Sequence, residues 1–94
     1  MKQAHILYSG MVQGVGFRFT AERFASRINL TGWVRNLSNG QVEILVEGSE
    51  EDIEQFCRDV EGHFTGYIHN KNIQLSPAEG KYKNFSITPS NSYE

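Results

Sequence analysis

The sequence lacks most of the features that mark secreted and membrane proteins. It has a single cysteine, Cys57, so no disulfide can form within the chain. No uninterrupted run of apolar residues is longer than three, whereas a membrane-spanning helix needs about 20. The N-terminal segment, residues 1–5, has no apolar core of the kind that a secretory signal requires. Together these absences favour a cytoplasmic protein.

Ligands for a metal ion are scarce as well. The three histidines, His5, His63 and His69, have no partners at the spacing that zinc sites use. Cys57 falls on the apolar stripe of a predicted helix, which is typical of a packed thiol. We therefore expect neither a metal ion nor a cofactor.

Charge is distributed unevenly along the 94 residues, a length that suits one domain. Residues 1–40 carry five basic side chains and one acidic side chain, a net charge of +4. Residues 41–63 carry one basic and eight acidic side chains, a net charge of −7. A small anion would be attracted to the first segment, and a long nucleic acid would be repelled by the second. We expect a monomer that binds a small anionic ligand and has no nucleic-acid or membrane partner.

The hydrophobic pattern predicts an α+β protein. The predicted strands cover residues 5–9, 33–37, 42–47, part of 66–75 and 85–87, and the predicted helices cover 17–28 and 49–62. Asn39-Gly40 predicts a hairpin between the second and third strands, and residues 76–81 are typical of a turn. This order predicts the ferredoxin-like split β-α-β fold, an antiparallel sheet of order 4-1-3-2 plus a short terminal strand, covered on one face by two helices. Residues 1–88 would form this domain and residues 89–94 a polar tail.

Side-chain alternation predicts which residues face the core. Ile6 and Tyr8 share one face of the first strand, and Val42, Ile44 and Val46 share one face of the third. Phe17 and Trp33 are interpreted as core residues rather than substrate contacts. In the predicted topology the first two strands run parallel, so their C-terminal ends lie at one edge of the sheet. The loop after Gly10 would then meet the end of the second strand.

The stretch from Gly10 to Arg18 is a glycine-rich connection between a strand and a helix. Such a loop can direct consecutive N–H groups inward and bind a phosphate at the helix N-terminus. The spacing matches neither a dinucleotide-binding fold nor a P-loop. The guanidinium of Arg18 can hold two phosphate oxygens, and a cation in the first helical turn is unfavourable unless an anion binds there. The candidate phosphate-binding residues are Gln13, Gly14, Val15, Gly16, Phe17 and Arg18.

Two segments of the sequence resemble the signatures of the acylphosphatase family. They are Val12-Gln13-Gly14-Val15-Gly16-Phe17-Arg18 and Gly32-Trp33-Val34-Arg35-Asn36, with Gly40 and Val42 beyond the second. The resemblance implies an acylphosphatase that hydrolyses the carboxyl-phosphate bond of small acyl phosphates to a carboxylate and inorganic phosphate. It also implies that Arg18 binds the phosphate, that the loop amides of residues 13–18 cradle it, and that Asn36 orients the attacking water.

The residues suit that chemistry. The leaving carboxylate has a conjugate acid of pKa about 4, so it needs no general acid. The motif contains no histidine, cysteine or carboxylate nucleophile, so we expect direct attack by water rather than a covalent intermediate. The sequence departs from the family pattern at Met11, where a basic residue is common, within residues 62–83, and at Thr88-Pro89.

Other interpretations of the same residues remain open. Arg18 could pair with Glu22, Asn36 could cap the Asn39-Gly40 hairpin, and the loop could be a tight connection without a ligand. The chain could also be a non-catalytic or carbamoyl-phosphate-handling module, since related domains begin a larger hydrogenase-maturation factor. An RNA-recognition domain has a similar fold, but it needs aromatic residues on its central strands, where only Tyr8 stands here.

Overall fold

The computed structural model describes residues 1–89 and contains two helices and five strands in this part of the chain. The elements are β1 (Lys2–Gly10), α1 (Phe17–Arg27), β2 (Thr31–Asn36), β3 (Val42–Gly48), α2 (Glu50–His63), β4 (Ile68–Pro77) and β5 (Phe85–Ile87). Apart from Pro89, the predicted tail of residues 89–94 lies outside the described residues. Neither helix is long and apolar enough to cross a membrane.

The strands form one sheet of order β4-β1-β3-β2-β5. β3 is antiparallel to both β1 and β2, so β1 and β2 run parallel to each other. Their C-terminal residues, Gly10 and Asn36, therefore lie at the same edge of the sheet. β5 pairs in parallel with β2 and adds the short terminal strand. The predicted ferredoxin-like fold and its strand order are confirmed.

The core lies between the sheet and the two helices. Alternate residues of β1, β2 and β3 face it, which confirms the predicted inward faces of β1 and β3. Phe17 begins α1 on the core side, and its ring stacks on that of Phe64 with 4.5 Å between centroids. The fully buried side chains include Ile6, Tyr8, Phe17, Val34, Val42, Ile44, Val46, Ile53, Phe56 and Val60. A core of this kind holds the start of α1, and hence the preceding loop, against the sheet.

The expectation that Trp33 belongs to the core was wrong. Trp33 is only half-buried and lies on the face of the sheet opposite the helices, because it neighbours the inward-facing Val34. The guanidinium carbon of Arg35 lies 5.0 Å from the centre of the Trp33 ring, which is a cation–π contact.

The predicted turn at residues 76–81 begins too early, because β4 extends to Pro77. The following segment crosses to the buried carboxylate of Glu47. That carboxylate accepts hydrogen bonds from the N–H groups of Glu79 and Gly80, at 2.8 and 3.1 Å, and from Nε2 of Gln3 at 2.7 Å. Burial alone would raise the pKa of Glu47, but these hydrogen bonds hold it below its ordinary value.

Candidate active site

The loop between β1 and α1 is shaped by its glycines. A Cβ on Gly10 would lie 2.3 Å from the carbonyl oxygen of Tyr67, so only glycine permits this close approach. The N–H of Met11 donates to that same oxygen at 2.9 Å. Gly16, the N-cap residue of α1, has a φ of 79°, a left-handed conformation that glycine adopts without strain. The loop thus leaves β1 in a defined direction and turns sharply into the helix.

The N-terminus of α1 has the properties of an anion site. Gly16 has no side chain with which to cap the helix, and the first turn contains no acidic residue. The first N–H groups of a helix have no partner within the helix, and they carry its positive dipole. They are therefore suited to binding a phosphate.

Arg18 and Asn36 line the same cavity, although 18 positions separate them in the sequence. The cavity has a volume of about 200 Å³ and is lined by Val12, Gly14, Gly16, Phe17, Arg18, Phe19 and Asn36. Of the predicted phosphate-binding residues, Gly14, Gly16, Phe17 and Arg18 line it. Gln13 and Val15 do not, and Val15 instead borders a neighbouring depression with Tyr67.

The side chain of Arg18 is half-buried and has no hydrogen-bond or salt-bridge partner within residues 1–89. Glu22, the alternative partner considered from the sequence, instead accepts a hydrogen bond from the Ser26 hydroxyl at 2.9 Å. The guanidinium is consequently available to an anion in the cavity.

Asn36 ends β2 and has a buried side-chain oxygen, Oδ1, that lacks a hydrogen-bond partner within the described chain. Buried polar atoms are almost always paired, so an unpaired one points to a functional reason. The hairpin does not use Asn36, because Oδ1 of Asn39 accepts the N–H of Gln41 at 3.0 Å. The alternative in which Asn36 caps the hairpin is therefore not what the structure shows.

The side chain of Gln13 forms hydrogen bonds that sequence reasoning missed. Its side-chain Nε2 donates to the carbonyl oxygens of Leu37 and Gln41, at 2.8 and 2.9 Å. The side chain of Gln41 in turn donates to the Ser9 hydroxyl at 2.8 Å. These bonds join the loop between β1 and α1 to the segment that follows Asn36. The sequence contains no pattern that would show whether Gln13 acts through its side-chain amide or through its main-chain N–H.

The second arginine of the motif, Arg35, is directed away from the cavity. Its Nε donates to the carboxylate of Glu43 at 2.6 Å, and His5 contacts the other oxygen of that carboxylate at 2.6 Å. Burial alone would raise the pKa of Glu43, but its contacts with His5 and Arg35 hold it below its ordinary value. Of the two arginines, only Arg18 reaches the candidate site.

A larger groove of about 290 Å³ between α2 and β4 does not suit a phosphate. Three carboxylates, those of Glu50, Glu54 and Glu61, line it. The ammonium of Lys71 already contacts Glu61 at 2.6 Å, and Glu61 also accepts the hydroxyl hydrogen of Tyr8 at 2.8 Å. Burial raises the pKa of Tyr8 well above its ordinary value. The three carboxylates outnumber the two cationic side chains that line the groove, those of Arg58 and Lys71, so the groove presents a net negative charge to a ligand.

Comparison with known proteins agrees with this geometry. The family model for acylphosphatase matches residues 4–87. The chain belongs to the acylphosphatase family. An acylphosphatase from Bacillus velezensis is 40% identical over 89 residues, which cover 94% of this chain and 99% of that protein.

Two solved structures are similar to this chain in fold and in sequence. The crystal structure of acylphosphatase from Bacillus subtilis has a TM-score of 0.87 and 36% identity, and the match covers 94% of this chain and 99% of that chain. Full-length HypF in its phosphate- and nucleotide-bound form has a TM-score of 0.80 and 34% identity. That match covers 99% of this chain but 13% of the HypF chain. The expected family and the expected enzyme class, an acylphosphatase, are confirmed.

Proposed function

We propose that this acylphosphatase hydrolyses small acyl phosphates by direct attack of water, giving a carboxylate and inorganic phosphate. One observation carries the proposal: the Arg18 guanidinium and the Asn36 oxygen, neither of which has a partner among residues 1–89, line one cavity of about 200 Å³ at the N-terminus of α1. The first supplies positive charge, and the second supplies a hydrogen-bond acceptor for water.

The phosphoryl group occupies the loop, where the amides of residues 13–18 donate to its oxygens. Arg18 completes this cradle with two parallel hydrogen bonds. Phosphoryl transfer proceeds through a loose transition state whose charge is spread over the equatorial oxygens. Catalysis therefore depends on positioning and on positive charge, both of which this loop and Arg18 provide.

Asn36 positions the attacking water, because its Oδ1 accepts a hydrogen bond from that water. The oxygen of water forms a bond to phosphorus while the bond between phosphorus and the bridging carboxyl oxygen breaks. The electron pair of that bond leaves with the carboxylate. An amide is not a base, so a proton of the water passes to a phosphate oxygen, and the products are a carboxylate and dihydrogen phosphate.

This reaction requires no metal ion, no cofactor and no covalent intermediate. We place the protein in the cytoplasm as a monomer, consistent with its single thiol, Cys57, which is buried. We propose no nucleic-acid partner, because Tyr8 is fully buried beneath the helices and cannot stack on a base.

The experiment that tests the proposal is turnover of benzoyl phosphate, followed by loss of the substrate. We expect hydrolysis well above the uncatalysed rate in the presence of a chelator, with inorganic phosphate as a competitive inhibitor. A folded wild-type protein that hydrolyses neither benzoyl phosphate nor acetyl phosphate would refute the proposal.

The likeness to HypF favours a second candidate, a non-catalytic or carbamoyl-phosphate-handling module of a larger maturation factor. Carbamoyl phosphate, tested beside acetyl and benzoyl phosphate, separates the two. A kcat/KM that is high for carbamoyl phosphate and at background for the other two would favour the module. Comparable turnover of all three would favour a general acylphosphatase.

A further inference from the structure

Phe19 is the one exposed hydrocarbon side chain among the residues that line the catalytic cavity. The other two apolar side chains there, Val12 and Phe17, are buried in the core at 0% and 2% exposure. Phe19 is 70% exposed, although exposing an aromatic ring of this size to water is unfavourable. Single exposed apolar residues are common on proteins, so its position at the cavity is what matters.

The geometry of α1 explains why Phe19 cannot join the core. Phe17, Ala21 and Ala25 form the buried face of the helix. Phe19 is two residues beyond Phe17, which places it about 200° around the helix axis. No ring stacking or cation–π contact involves Phe19 within residues 1–89. The ring therefore stands at the mouth of the cavity, one residue from Arg18, with its surface open.

We infer that Phe19 forms a subsite for the acyl group and that it directs the enzyme towards acyl phosphates with an apolar, preferably aromatic, acyl group. The inference rests on the proposed function, since it assumes that the phosphate occupies the loop. The acyl group must then emerge from the cavity, because Val12, Phe17 and the loop backbone close the interior. Phe19 is the hydrocarbon surface that the emerging group can cover.

The charges around the cavity agree with an uncharged acyl group. Among the described residues, Arg18 is the one cationic side chain that lines the cavity, and it binds the phosphate in the proposed complex. No second cation among the lining residues remains for a carboxylate at the far end of the acyl group. An aromatic acyl group can instead stack on the Phe19 ring or meet it edge to face.

The test compares benzoyl phosphate with acetyl phosphate in the wild type and in Phe19→Ala. Burying about 50 Å² of apolar surface changes an equilibrium by roughly eightfold. We expect Phe19→Ala to lower kcat/KM for benzoyl phosphate by about fivefold to tenfold, mainly through KM, and to change that for acetyl phosphate by less than about twofold. For each substrate, the kcat/KM of the variant is compared only with that of the wild type. The difference in intrinsic reactivity between the two substrates therefore does not affect the result.

Two further variants sharpen the comparison. Phe19→Leu keeps an apolar surface and should retain part of the preference for benzoyl phosphate. Leu75→Ala removes an apolar side chain that is 49% exposed on β4, away from the cavity, and should leave both substrates unaffected. Equal losses for both substrates in Phe19→Ala, or no loss for either, would overturn the inference.

Ligand binding supplies a readout that does not need turnover. Titration calorimetry with phenylphosphonate and with inorganic phosphate should show that Phe19→Ala weakens binding of the first several-fold and leaves the second unchanged. If the wild type hydrolyses neither substrate, the proposed function is wrong, and this pair of titrations alone decides the inference about Phe19. Parallel changes in both affinities would contradict it.

Discussion

A buried oxygen without a hydrogen-bond partner lowers the stability of the folded state. Asn36, at the end of β2, has such an oxygen among residues 1–89. Leaving a buried acceptor unsatisfied costs about 1–3 kcal/mol. Asn36→Ala removes this oxygen, so we expect a variant that is at least as stable as the wild type. Because the attacking water loses its acceptor, kcat should fall about 100-fold or more, while inhibition by phosphate stays within about twofold. Urea unfolding and steady-state kinetics measure both effects, with the exposed Asn84→Ala as the control.

Substitutions of Arg18 should have a different effect, since in the proposed complex its guanidinium contacts the phosphate itself. We expect Arg18→Ala to lose both phosphate inhibition and turnover, and Arg18→Lys to recover little, because an ammonium cannot form the paired hydrogen bonds. Arg23→Ala, an exposed arginine on the same helix, is the matched control. Full activity in Arg18→Ala would exclude the role assigned to this side chain.

Gln13 offers a test with a definite order of effects. Its Nε2 donates to two carbonyl oxygens, so Gln13→Ala removes two hydrogen bonds. Gln13→Glu places an acceptor-only carboxylate against the same two oxygens, which is worse than an empty position. We expect kcat and the melting temperature to decrease in the order wild type, Ala, Glu, with kcat falling about tenfold in the alanine variant.

The exposed Gln74→Glu introduces the same charge on β4 and should change neither quantity. If Gln13→Glu were as active as the wild type, the bridge between the loop and the hairpin would not position Asn36.

At the scale of elements, the local hydrophobic pattern was sufficient to predict a strand or helix wherever one face of that element is buried. The alternation in β1 and β3 predicted Ile6, Tyr8 and Ile44 correctly. The other face of these two strands also carries polar side chains, such as Ser9 and Glu43, which distinguish it from the core face. Trp33 was misassigned because an aromatic residue suits either face of a sheet. The end of β4 was misplaced because residues 76–77 carry turn-forming side chains, yet pair with residues 2–3 of β1.

The contact between β3 and the segment after β4 predicts how stability depends on pH. The folded state holds the pKa of Glu47 below its ordinary value. Its contribution to the free energy of unfolding is therefore present above the unfolded pKa, about 4.3, and is lost as the pH falls through the lower folded pKa. At neutral pH, Glu47→Gln should be less stable by about 1–3 kcal/mol.

Below the folded pKa of Glu47 the wild type and Glu47→Gln should converge, as urea unfolding across pH would show. Glu54→Gln alters an exposed residue of α2 and should follow the wild type throughout. A difference between wild type and Glu47→Gln that persisted unchanged into acid would mean that the charge of Glu47 contributes nothing.

For the whole molecule, the sequence led to the candidate site because the strand order and the motif indicate the same edge of the sheet. The parallel course of β1 and β2 brings Gly10 and Asn36 to one edge, and this follows from strand order alone. The side-chain bridge of Gln13 and the open ring of Phe19 could not be predicted. Both depend on distances between segments that are far apart in the chain, and such distances leave no local pattern.

In the proposed function phosphate binds only the assembled site, so it should stabilise the whole fold. At 100 times its dissociation constant a ligand adds about 2.7 kcal/mol to the free energy of unfolding, which is a shift of roughly 10 °C or more for a domain of this size. We expect this shift in the wild type and in Asn36→Ala and its absence in Arg18→Ala. Thermal scans with phosphate and with chloride at equal ionic strength provide the measurement.

The position of β1 at the centre of the sheet has a consequence for the nascent chain. Its partners, β3 and β4, are made some 40 and 70 residues later, and β2 receives β5 only at residue 85. When the ribosome has translated the first 40 residues, the loop between β1 and α1 has been made, but neither of the strands that pair with β1 has. Folding and catalytic competence should arise together, and late, during synthesis.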